Sequence, residues 1–278
     1  MARILDILPS FEEYARKTFV DSPFVRESRW RELYEGDNPE VFAAFYADQE
    51  ERAGLSAVVR ELTIVRDRAT AGGPVLHRVI EEVEPAVREA LGLAPTPDPL
   101  HVLMVGPYSI NVLVGPMGDD VAVFHCLEWF QSEEGSRVLV AHEDAHAWHR
   151  IVLGGAPPGD DAAWTAFSEG LATMVSRQVV PGRDEDDYFW FGHEGFEDWL
   201  PWCTEHRSEL LARFRDELDD PATSDNFFGS GLVEKRWRVG YYLADLLVAS
   251  LERPLPELVV LSVDEARTAI REVLAEVD

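Results

Sequence analysis

The chain has 278 residues, 46% of them hydrophobic, which is enough to fill one large domain or two modest ones. Its 52 acidic and 25 basic side chains give a formal net charge of −27, which disfavours nucleic acid and anionic membrane surfaces as partners. Two cysteines, Cys126 and Cys203, are too few for a disulfide framework or a thiolate metal site, and no stretch approaches the roughly 20 apolar residues of a membrane span. The composition therefore predicts a soluble, cytoplasmic protein.

From residue 10 to 92, apolar and charged residues mix at three-to-four spacing, as in FEEYARKTFV and VLHRVIEEVEPAVREALGL, which predicts helices. Pro23, Pro39 and the run Gly72, Gly73, Pro74 read as breaks between them. The run APTPDP, 94–99, reads as a linker, giving an N-terminal helical region over 1–95, packed on a second part over 96–278. There the period changes: LHVLMVG, INVLVG and VAVFHCLEWF are short and rich in Val, Leu and Ile, separated by PYS and PMGDD, as in a small antiparallel meander. The last of these strands is a candidate edge for an added peptide strand. Helices are then expected over about 134–153, 161–178, 204–219, 235–251 and 264–276. The fold class is α+β: mainly helical, with a small antiparallel sheet handing over to the helix that begins near 134.

That helix contains HEDAH at 142–146, an instance of His-Glu-x-x-His. On an α-helix, positions i and i+4 lie about 40° apart and one turn up, so His142 and His146 can offer their rings to one ion, with Glu143 beside them as general base. The flanks are apolar nearly all round, from Val138 to Ile151, so the helix should be buried. Burying Glu143 unpaired would cost several kcal/mol, and a bound cation explains all three residues together. Zn²⁺ suits this donor set, because it acts as a Lewis acid and lowers the pKa of water towards neutrality. His149 is two turns from His142, roughly 10 Å along the axis, and is expected in the pocket wall. The third ligand is expected from WTAFSEGLATMVSR, 164–177, where Glu169 lies beside a buried face and Gly170 would let the histidine helix approach closely.

Together, AHEDAH, SEGLATMVS and RVGYYLADLLV, in that order, resemble a bacterial family of zinc-dependent proteases predicted from sequence. In that family a His-Glu-x-x-His helix is followed by a SEGLA-like helix and then a GYY helix. A third glutamate on a following helix is also the gluzincin arrangement, here with 22 residues between His146 and Glu169. The likeness covers about 100–260. It implies a zincin-like fold, with zinc on His142, His146 and Glu169 and Glu143 as general base. The oxyanion donor would be Tyr241 or Tyr242, with Gly240 opening space for a substrate beside Tyr241. The Gly-x-Met-x-Asn strand motif of the gluzincin aminopeptidases has no match, since GPMGD at 115–119 reads as a hairpin turn. Arg238, on the same helical face as Tyr241, is expected as an exposed ion pair or as a binder of a substrate carboxylate. The aromatic run at 188–203 is expected to fill core or to wall a pocket.

The function expected is zinc-dependent hydrolysis of a peptide or protein substrate. The alternatives are a peptidase-like protein that keeps a structural metal and binds polypeptide without cleavage, and a zinc hydrolase acting on a non-peptide amide or ester.

Overall fold

The computed structural model describes residues 2–47, 52–94, 98–155 and 161–276. The expected boundary at 95/96, and half of the linker-like run around it, lie outside the described residues. The described part of the molecule is α+β, mainly helical with a small four-stranded sheet. It forms two compact units, Met1–Pro85 with Pro95–Ala147, and Ala86–Ala94 with Trp148–Asp278. No described helix is long and apolar enough to cross a membrane.

A short strand, β1 (Arg3–Asp6), leads into α1 (Leu8–Thr18), α2 (Pro23–Arg29), a π-helical turn (Trp30–Glu35), α3 (Pro39–Phe45), α4 (Leu55–Arg60) and the long α5 (Leu62–Ala90). Pro23 and Pro39 begin their helices, where the missing N–H would have had no partner anyway. Gly72, Gly73 and Pro74 do not divide this segment into two helices as expected; they lie inside α5, as does Pro85. Each proline removes one backbone bond, but Val65, Ala69, Leu76, Val79 and Val83 keep a continuous buried stripe. The two glycines let Phe130 and Leu8 sit against the helix, where a Cβ would collide with them. The first unit's aromatic core is built from Phe11, Tyr14, Trp30 and Tyr34, with Trp30 and Tyr34 edge-on at 4.8 Å.

The remaining strands are β2 (Leu100–Met104), β3 (Val112–Met117) and β4 (Asp120–Cys126), in the order β1-β2-β4-β3. Only β3 and β4 are antiparallel, joined through Gly118 at φ 61°; β1 pairs parallel with β2, and β2 pairs parallel with β4. The expected antiparallel meander is therefore corrected to a mixed sheet. The physical reason is where the backbone donors after β2 go. The Val105 N–H donates to the Tyr34 hydroxyl, and the N–H groups of Gly106 and Tyr108 donate to the Glu128 carboxylate, so the backbone cannot turn straight back as a hairpin. Glu128 is fully buried, and burial pushes its carboxyl up to about 7 even against these donors. Because β4 lies between β2 and β3, it is not an edge to which a peptide could add; β1 and β3 are the edges.

Helices then follow: α6 (Glu133–Leu153), α7 (Ala162–Val179), α8 (Asp187–Trp190), α9 (Trp199–Glu205), α10 (Arg207–Glu217), α11 (Thr223–Phe228), α12 (Val239–Ala249), α13 (Leu255–Leu258) and α14 (Val263–Glu276). Asp161 caps α7 by accepting the Trp164 N–H at 2.8 Å. Within the second unit α7 packs on α12. Gly170 lies directly against the Ala244 carbonyl and Val248, leaving no room for a Cβ. The expectation that Gly170 admits the histidine helix is thus corrected, since the helix that uses its missing side chain is α12. The aromatic run mostly fills core: Tyr188, Phe189, Trp190, Phe191 and Trp199 are all buried.

The Gly170→Ala variant is expected to lose about 1–3 kcal/mol of stability through overpacking. Gly155→Ala, where a Cβ meets nothing within 4 Å, is expected to change it by less than about 0.5 kcal/mol. Urea denaturation of the two variants beside the parent makes the comparison.

Candidate metal centre

Helix α6 carries its polar residues through an apolar setting: Val138, Val140, Ala141, Ala145, Ala147 and Trp148 are all at most 1% exposed. His142 and His146 are one turn apart on it, with ring planes at 75° and their Nε2 atoms 3.2 Å apart. Two nitrogens bound to one tetrahedral ion at roughly 2.0–2.1 Å would be roughly 3.3 Å apart. The spacing of the two rings therefore suits a shared cation without rearrangement. Glu169 on α7 completes the set, for ligand atoms of His142, His146 and Glu169 all lie within 4.8 Å of one another. His142 is buried while His146 and Glu169 are half-buried. These three residues form a group that can hold a metal ion.

Among the other residues expected at the site, Glu143 is half-buried on α6 between the two histidines in sequence. Tyr241 is half-buried and Tyr242 buried at the start of α12. Gly240 does not open space for a substrate. The Phe228 ring and the Phe227 carbonyl occupy the place its side chain would take. His149 packs against the rings of Trp164 and Phe167, at 5.1 and 5.9 Å, and is not one of the metal group. Arg238 does not form the expected exposed ion pair. It is half-buried, and among the described residues it makes no side-chain hydrogen bond or salt bridge.

The sequence reading missed a second polar cluster. Asp144 falls two residues after His142, about 200° around the helix, and so looks away from the two ligand rings. It is fully buried, with Oδ1 3.6 Å from Nε2 of His101 on β2. His101 Nδ1 in turn lies 3.2 Å from Nε2 of His125 on β4, with the rings stacked at 5.5 Å. Burial holds the Asp144 carboxyl well above the usual carboxylate range, helped by the negative charges of Glu84 and Glu143. Burial also lowers His101 to about 3, and burial followed by the neighbouring His101 holds His125 well below its ordinary value. Burial thus favours the uncharged form of all three groups, which is how a dry interior tolerates them. The available sequence signal was the placing of His101 and His125 within otherwise largely apolar strands.

No protein-family model matches this sequence, and no match is found among curated proteins or solved structures.

The His101 shift sets a pH dependence. Unfolded His101 takes a proton as pH falls through its ordinary 6.5, whereas folded His101 resists down to about 3, so its contribution to stability is full above 6.5 and is lost towards 3. Asp144 runs the other way, since its raised pKa weakens the fold as pH rises above its ordinary 3.8, and a parent-minus-variant difference removes this common background. His101→Gln does not titrate. The melting-temperature gap between metal-free parent and variant is expected to narrow steadily from pH 7 to pH 4.

Proposed function

We propose that the protein is a zinc-dependent peptide hydrolase of zincin-like type. The observation that carries this reading is the group of His142, His146 and Glu169, with the two histidine Nε2 atoms 3.2 Å apart on a buried helix. Two imidazoles and one carboxylate are a donor set that zinc accepts. A set of three protein ligands rather than four among the described residues supports a catalytic over a structural ion. The resemblance of AHEDAH, SEGLATMVS and RVGYYLADLLV to the bacterial protease family supports the same reading.

When bound, zinc supplies Lewis acidity and makes water acidic enough to lose a proton near neutral pH. In the proposed reaction, the Glu143 carboxylate accepts a proton from water as it attacks the peptide carbonyl, and returns it to the departing amine. A tyrosine hydroxyl donates a hydrogen bond to the developing oxyanion. Tyr241 suits this better than Tyr242, because it is half-buried while Tyr242 is closed into the core.

Elemental analysis of protein purified without added metal is expected to find about one zinc per molecule, lost in His146→Ala and Glu169→Ala. Glu143→Gln is expected to keep the metal and to lose hydrolysis of a peptide library by at least about 100-fold. Metal retained with full cleavage in Glu143→Gln rejects the general base. Metal without cleavage in the parent favours the structural-metal alternative.

A further inference from the structure

Arg238 stands apart in a protein with about twice as many acids as bases. Arg236, two residues earlier, pairs with Asp198 at 2.9 Å, and Arg177 pairs with both Glu185 and Asp245. Among the described residues, Arg238 pairs with no acid. Its guanidinium lies 4.0 Å from the centre of the Tyr241 ring, 5.5 Å from that of Trp190 and 5.8 Å from that of Phe191. Aromatic faces attract the flat face of a guanidinium and leave its in-plane N–H edge unused. All five N–H donors of Arg238 lack an acceptor among the described residues. The indole Nε1 of Trp190, a ring only 7% exposed, has no acceptor there either. A buried indole donor without an acceptor calls for an explanation, and a ligand oxyanion at the half-buried guanidinium is one such acceptor.

The setting fixes this arginine in place. Arg238 has φ 57°, a left-handed conformation that a non-glycine residue adopts at a cost. The loop before it is tied down: the Trp199 indole donates to the Trp237 carbonyl at 2.8 Å, and Arg236 lies over the Trp202 ring. Trp190 is itself held by Phe196, stacked at 3.5 Å, and by Trp199, edge-on at 5.4 Å. A guanidinium held this way loses little freedom when it binds, so its two-pronged edge suits a planar carboxylate. Tyr241 begins the turn of α12 that precedes Ala244, and Ala244 abuts Gly170, the residue after Glu169.

We propose that Arg238, framed by Tyr241, Trp190 and Phe191, is a recognition site for a carboxylate on the peptide substrate, so that the enzyme prefers peptides carrying a free acid near the cleaved bond. This inference rests on the peptide-hydrolase reading for its substrate, but it makes its own claim about binding. The carboxylate has two sources, a peptide's C-terminus or an Asp or Glu side chain.

The test is calorimetric binding to zinc-loaded Glu143→Gln protein, which separates recognition from turnover. The probes are matched short peptides: a free C-terminus against its amide, and a Glu-containing peptide against its Gln counterpart with both termini blocked. One of the two acid forms is expected to bind about 10- to 100-fold tighter than its neutral partner, the range for one charge-assisted, two-pronged contact. The preference should fall to near unity when Arg238→Met is added, with zinc content unchanged. Arg238→Gly serves as the second variant, since glycine accepts the left-handed backbone and folding is spared; it should abolish the preference equally. Arg238→Lys should recover only part of it. Whichever pair shows the preference names the source. No acid preference in either pair, or a preference that survives both Arg238→Met and Arg238→Gly, overturns the proposal. Loss of cleavage in the parent with the Arg238-dependent preference intact would instead reject the hydrolase reading alone.

Discussion

The structure depends on how one buried helix disposes of its polar side chains. Between positions 142 and 149, α6 presents His142, Glu143, Asp144, His146 and His149 while its apolar neighbours are sealed from water. A charge left alone in such a place would cost several kcal/mol, so each group must be neutral, paired or bound. Helical geometry separates the solutions by face. His142 and His146 come together one turn apart, and with Glu169 form the metal group. Asp144 turns the opposite way, where burial favours its uncharged form, and lies 3.6 Å from His101. His149 finds aromatic faces. The same five-residue motif thus faces two ways, one side carrying the group that can hold a metal ion and the other bringing Asp144 close to His101 on β2.

Positioning of Glu169 depends on a different constraint, the closeness of α7 to α12. Gly170 brings the two backbones together at Ala244, and Gly240 accepts the Phe228 ring at the start of α12. Both glycines act as places where another group fits, which is why neither leaves a gap for a substrate. The close approach makes Ala244 of α12 a direct neighbour of the residue after Glu169, so a change at Gly170 would disturb both helices together.

Much of this was legible in the sequence because it is periodic or local. The histidine spacing of HEDAH, the buried face beside Glu169 and the helices after residue 134 are carried by neighbours within a few turns. What escaped depends on partners far away in sequence. The parallel pairing of β1 with β2 joins residues nearly 100 positions apart, and β4 displaces β3 from β2 because Tyr34 and Glu128 take the intervening backbone donors. Proline and glycine in α5 read as punctuation, yet packing against Phe130 and Leu8 outweighs that local preference. The His101, His125 and Asp144 cluster was hidden for the same reason: three residues from three elements, none with a local motif of its own.

The net charge and the Arg238 frame act over different ranges. A net charge of −27 repels an anionic ligand at a distance, but at physiological ionic strength charges beyond about 8 Å are largely screened. Contact between a carboxylate and a half-buried guanidinium is screened far less. The aromatic frame matters here because it competes with the protein's own acids for the arginine. Without Tyr241, Trp190 and Phe191 around it, Arg238 would be expected to swing to a neighbouring carboxylate, as Arg236 and Arg177 do. An acidic protein can therefore keep an anion-binding arginine available only by holding it with groups that carry no charge.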